Sequence, residues 1–169
     1  MLKIKLFVIL VAILGLVSGP LFAAPSISPL FAQEAALHDG ATHVVSLEYD
    51  DFTETATNTA ETVALFSVPA DCIVEVVYTV LVAPFADSSD TNHLSDAVTI
   101  GDGASAARFL ASQELNAGGT EVNIKGGVIA RYNYTSADTV DAVLTPTAIS
   151  AASTLTSGEL KIYCKIFTK

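Results

Sequence analysis

Short apolar stretches punctuated by turn residues run through most of this chain, and their period is that of β-strands. Residues 43–49 (HVVSLEY) open the series, and residues 62–68 (TVALFSV) follow, ended by Pro69. Residues 72–82 (CIVEVVYTVLV) form the longest and most β-branched run, which predicts a central strand. Residues 97–100 come next, closed by Gly101-Asp102-Gly103, a strong turn signal. Residues 121–134 (EVNIKGGVIARYNY) read as two short strands meeting at Gly126-Gly127. Residues 139–145 (TVDAVLT) and 159–167 (ELKIYCKIF) complete the set. The segment 106–115 fits a short helix or another strand equally well.

Phase assigns faces to the clearest strands. In the last one, Leu160, Ile162, Cys164 and Ile166 share one face, and Lys161, Tyr163 and Lys165 the other. In the long strand, Val74, Val76, Tyr78 and Val80 are expected in the core, with Ile73, Glu75, Val77 and Thr79 facing away. The Val/Ile content of that second set predicts that it too is largely covered. Glu75 then needs an edge, a polar partner or a subunit contact, because an unpaired buried carboxylate is costly. No long amphipathic helix is available for parallel crossovers. The expectation is therefore an all-β fold: an antiparallel β-sandwich, jelly-roll-like, of about seven or eight strands over residues 43–169.

The N-terminus has a different pattern. Lys3 and Lys5 precede an unbroken apolar run of twelve residues at 6–17 (LFVILVAILGLV), broken by Ser18, Gly19 and Pro20. A bilayer-spanning helix needs ~20 apolar residues, whereas a signal-peptide core needs ~7–15. Residues 1–24 are thus read as a hydrophobic leader, with removal favoured over anchoring. Leu21-Phe22-Ala23 before Ala24 and Leu30-Phe31-Ala32 before Gln33 offer small-residue cleavage points. Residues 25–42, with Pro25, Pro29 and Gly40, read as a linker or docking arm.

Composition narrows the function classes. Charged residues make up 15% of the 169-residue chain, against ~25% in typical soluble domains, which suits a surface partly covered by neighbouring subunits. From Glu34 onward there are 6 basic and 18 acidic residues, a net of −12. Such a surface repels phosphates and disfavours nucleic acid, while favouring a cation or a basic protein partner. Trp is absent, which argues against a carbohydrate- or ligand-binding sandwich built on aromatic stacking.

Candidate chemistry is sparse. Cys72 and Cys164 fall on inward faces; an exported protein would permit a disulfide between them, and two buried thiols are the equal alternative. Asp87, Asp90 and Asn92, with Asp96 nearby, could offer oxygen ligands to calcium. The EF-hand spacing is missing, so a solvated loop is the favoured reading and no cofactor is required. His38, His43 and His93 stand in no metal or nucleophile motif, and no enzyme activity is expected. Asn133-Tyr134-Thr135 matches a glycosylation acceptor, relevant only in a glycosylating host. Gly101-Asp102-Gly103 and Gly118-Gly119 lack the Lys-Ser/Thr of a phosphate cradle and read as turns.

Several phrases stand in a telling order: SLEYDDFTETATNTAETVALFSVPA, then the Val-rich strand and VAPFADSSDTN, VTIGDG, RFLA, YTSADTV and TSGEL. This ordered set resembles small β-sandwich virion proteins of tailed phages, and Ala32-Gln33-Glu34 before Ala35 is similar to sites cut by capsid-maturation proteases. The resemblance implies a self-assembling structural subunit on the virion surface, a capsid-decoration or fibre-like protein. Its partners would be itself and a major capsid protein, and it would touch membrane only through the leader. The leader departs from that family's pattern. It favours the alternative of an exported filament or envelope-surface subunit, secreted or at the cell surface, whose arm around residues 33–47 completes a neighbour's sheet edge.

Overall fold

Runs of Val, Ile, Thr and Tyr suit a pleated, half-buried surface, and the chain is extended wherever they cluster. The computed structural model describes residues 24–87, 96–116, 122–124, 131–146 and 151–168. Its strands are β1 (Ser26–Pro29), β2 (His43–Glu48), β3 (Glu61–Val68), β4 (Cys72–Ala86), β5 (Asp96–Asp102), β6 (Ser105–Glu114), β7 (Val122–Ile124), β8 (Arg131–Tyr134), β9 (Asp138–Pro146) and β10 (Ser157–Thr168). One short helix, α1 (Ala32–Leu37), joins β1 to β2. The ambiguous 106–115 segment is strand β6. The leader and Gly126-Gly127 lie outside the described residues.

Two antiparallel sheets form a β-sandwich. The first runs β1-β2-β10-β4, with both β7 and β8 on the far edge of β4; the second runs β3-β9-β5-β6. A single core fills the space between them. The first sheet contributes Val45, Leu47, Val74 and Ile162, and the second contributes Leu65, Val98, Phe109 and Leu144. Leu160, Ile162 and Cys164 face this core as their phase predicts, and Ile166 packs partly against it.

The long strand departs from simple alternation. Its pairing with β10 moves from Tyr163↔Tyr78 to Cys164↔Val76, so Val77 is an extra residue in a β-bulge. Val74 and Val76 lie in the core, as expected, but beyond the bulge the parity reverses. Leu81 and Phe85 enter the core, while Tyr78 and Val80 turn to the outer face beside Val77. Thr79, expected to face away, points inward and donates its hydroxyl to Gln113 Oε1 at 2.6 Å, linking the two sheets. Glu75 does find polar partners: Lys165 Nζ at 3.7 Å and Arg131 Nε at 3.9 Å, on the strands to either side.

Residues 43–47 are not a free arm. They form most of β2, which is held between β10 and β1 in this chain's own sheet. Ahead of them, β1 adds an edge strand whose four residues are all exposed, and α1 buries none of its six.

Candidate functional site

The outer face of the first sheet carries a second apolar cluster of Ala41, Val77, Tyr78, Val80 and Tyr163, with Leu30 and Val44 packed against it. Of the set expected to be covered on this face, Val77 is buried here beside the chain's own N-terminal arm, while Ile73 and Glu75 are half-buried. Tyr78 and Tyr163 are direct register partners on β4 and β10, so their rings meet across the strands. They stack at 4.8 Å between centroids, and the His38 ring stacks on Tyr163 at 4.0 Å. His38 Nδ1 is also hydrogen-bonded to the Tyr78 hydroxyl. Burial, with Tyr163 and Asp39 adding, pushes that hydroxyl's pKa up to about 12, so it keeps its proton at neutral pH.

Backbone geometry brings His38 to this place. Gly40 N–H bonds Ala35 O at 2.8 Å and Ala41 N–H bonds His38 O at 2.9 Å, closing a tight reversal after α1. Asp39 and Gly40 both take positive φ, 52° and 75°, to make it. Leu30 N–H to Thr42 O, 2.9 Å, closes the hairpin between β1 and β2. The arm is therefore held by a few backbone bonds and one aromatic clasp. Aromatic pairs contribute about 0.5–1.5 kcal/mol beyond their buried area. His38→Ala should accordingly speed hydrogen exchange at residues 26–28 by roughly three- to tenfold, on that scale, while core amides stay unchanged. Equal acceleration in β4 would show that His38 supports the fold as a whole.

An acidic groove lies where the arm enters the sheet. Ala24, Pro25, Ser26, Ser46, Glu48, Asp50 and Asp51 line it. Asp51 accepts the Glu48 N–H at 2.7 Å. Burial raises the Asp51 carboxyl to about 6; the Glu48 N–H opposes the rise, and the Asp50 and Glu48 charges add to it. A carboxyl with a raised folded-state pKa costs stability above that value, and the cost is relieved as pH falls towards its ordinary range. Asp51→Asn should therefore stabilise the protein at pH 7.5 by roughly 1 kcal/mol, after allowing for the group's partial exposure, and by almost nothing at about pH 3, below the unfolded-state value. Chemical denaturation at the two pH values reads this difference.

At the opposite side of the core, Asp102 ties the sheets together. The Tyr134 hydroxyl donates to it at 3.0 Å, and the N–H groups of Ser105 and Ala104 donate at 2.9 and 3.1 Å. Arg108 donates through Nε and, at 3.1 Å, through a terminal nitrogen, while its guanidinium lies 3.7 Å from the Tyr132 ring centre. Burial alone would raise the Asp102 carboxyl, but Arg108, the Ser105 N–H and Tyr134 outweigh it and hold it below its ordinary range. These contacts are structural: strands β5 and β6 of one sheet meet β8 of the other here. Gly101 and Asp102 still belong to β5, and the turn predicted at 101–103 falls on Gly103 and Ala104.

The sites expected from sequence are placed apart. Cys72 and Cys164 are two free, buried thiols. Cys164 pairs with Val76 and Cys72 with Thr168, four positions away along the same ladder, or about 13 Å. Disulfides require Cα atoms within about 7 Å, so sharing an inward face does not bring them together. Burial pushes the Cys164 thiol up to about 12. Asp90, Asn92 and His93 lie outside the described residues; Asp87 is half-buried at the end of β4 and Asp96 is buried at the start of β5. Among the described residues, no cluster of three His, Cys, Asp or Glu side chains is arranged to hold a metal ion. His43 bonds the Thr42 hydroxyl at 2.8 Å, and burial lowers its pKa. Asn133 is exposed on β8, while Tyr134 beside it is buried.

Comparison with protein-family models, with curated proteins and with solved structures finds no match to this chain.

Proposed function

We propose that this protein is a non-catalytic, self-assembling structural subunit of jelly-roll type, carried on the surface of a virus particle as a decoration or fibre-like protein. The observation that carries the reading is strand order. Let β2 be strand one, and let β7 and β8 count as one broken strand, since both pair with the same edge of β4. One sheet then reads 1-8-3-6 and the other 2-7-4-5. This nesting of first with last and second with next-to-last is what two interlocked Greek keys produce, an arrangement common in viral capsid domains. Fold-level likeness is an analogy for function, and the ordered sequence phrases add to it independently. The low charge and the acidic body suit a subunit that packs against copies of itself and against a capsid partner. Under this reading the protein needs no cofactor, and calcium bound near Asp87 would serve only to stiffen a loop.

Sedimentation of the full chain over a hundredfold concentration range tests self-assembly. Discrete oligomers or polymers are expected. A monomer at every concentration that also fails to bind capsids would overturn the proposal.

The second reading is an exported filament or envelope-surface subunit, with the hydrophobic leader as its export signal. The exposed edge strand β1 favours it, because sheet edges are where strand addition occurs. The mass of the native protein separates the two. A start at Ala24 or Gln33 supports export, with only Ala24 retaining β1, and a start at Ala35 supports capsid maturation.

A further inference from the structure

The arm of residues 24–38 is built to be exchanged. We infer that it docks on a second copy of this chain in the same position it takes on its own, so that β1 of one copy pairs with β2 of the other. The inference rests on the self-assembly reading, in the chain that keeps residues 24–38, and names the segment and surface responsible.

Four observations converge on it. First, the receiving surface is fully formed without the arm: Val77, Tyr78, Val80 and Tyr163 all stand on β4 and β10, in the middle of the sheet. Second, the arm contributes little to its own order. Its strand has four exposed residues, its helix is far shorter than the ~12–15 residues an isolated helix needs, and none of that helix is buried. Third, the connection is a poised hinge. Asp39, a non-glycine residue, sits at φ 52° next to Gly40 at 75°. Extending these two residues releases the left-handed conformation at Asp39 and sends the arm away from its own sheet. Fourth, Phe31 and Leu37 are 79% and 80% exposed on the docked arm. In an exchanged pair the two 30–38 segments cross, and these side chains gain cover from their counterparts. An exchanged arm makes the same contacts with β2, Tyr78 and Tyr163 as a closed one. Hinge conformation and protein concentration therefore set the balance between the two forms.

Ser26 and Ser46 are register partners on β1 and β2, close enough for a disulfide if both are cysteine. The test uses the full chain carrying Ser26→Cys and Ser46→Cys, prepared with and without ¹⁵N label. The two preparations are mixed, equilibrated and mildly oxidised, and the unreduced masses are read. The chain carrying Ser46→Cys alone gives the background. Exchange predicts 26–46 bonds between labelled and unlabelled chains, well above that background. Gly40→Val penalises the closed reversal without steric overlap, since the nearest atom to its Cβ would be 3.6 Å away. It should raise the interchain fraction about fivefold or more, given the cost of a left-handed β-branched residue. Asp39→Gly should lower it. If all 26–46 bonds are intrachain in a protein that sediments as an oligomer, arm exchange is wrong while self-assembly stands. If they are intrachain in a strict monomer, both fail. An interchain fraction that ignores both hinge substitutions overturns the hinge.

Discussion

Replacing Val76 with aspartate is expected to eliminate the folded state. Val76 is 6% exposed, lies on the core side of the β4 bulge and pairs with Cys164, itself fully buried. The described core cluster that holds Val76 is aliphatic, aromatic and thiol. Burying an unpaired charge costs several kcal/mol even after the protein relaxes, against a total stability of ~5–15 kcal/mol. Circular dichroism should show no cooperative melting transition at pH 7.5. Val77→Asp, one residue on, places its charge on the outer face beneath the arm. That variant should keep a cooperative transition while releasing residues 24–41, seen as rapid hydrogen exchange there. A cooperative, near-native transition in Val76→Asp would mean that the strand phasing is wrong.

Gly101→Val should be nearly as damaging, for a different reason. A Cβ at Gly101 would overlap Ser105 O and the Ala106 carbonyl carbon, both backbone atoms of the β6 strand folded against it. Backbone cannot rotate aside as a side chain can, so the β5–β6 hairpin must open. Asp102, the next residue, would then lose its alignment with Tyr134 and Arg108. The expected loss is about 3 kcal/mol or more, beyond ordinary overpacking because the clash is with main chain. Gly103→Ala is the control: no atom from outside the turn lies within 4 Å of its Cβ, so its unfolding free energy should match the parent's within about 0.5 kcal/mol. Comparable losses for both glycines would show that the turn, rather than the close approach at Gly101, sets the requirement.

Alternating apolar residues made the sandwich legible, because the period of two is fixed by the backbone and each strand reports it locally. The last strand illustrates this: Leu160, Ile162 and Cys164 face the core just as their spacing requires. Bulges are where local reading fails. Nothing in CIVEVVYTVLV marks Val77 as the extra residue, since any of its valines could fill that place; the pairing with β10 decides it. The face of Tyr78, Val80 and Thr79 changes with that one residue. The outer aromatic cluster was hidden for the same reason, because His38 meets Tyr78 and Tyr163 only through the bulge and the Asp39–Gly40 reversal. The two cysteines show the converse limit. Phase places both inward, but register along the ladder, invisible in sequence, holds them apart.

The proposed role as a surface subunit of an assembled particle is open to direct test. Immunogold electron microscopy with antibodies against the folded 43–169 region tests it most directly. A surface subunit should give regularly spaced gold on intact, nuclease-treated particles. Gold confined to cell envelopes or free filaments, with particles unlabelled, would contradict it.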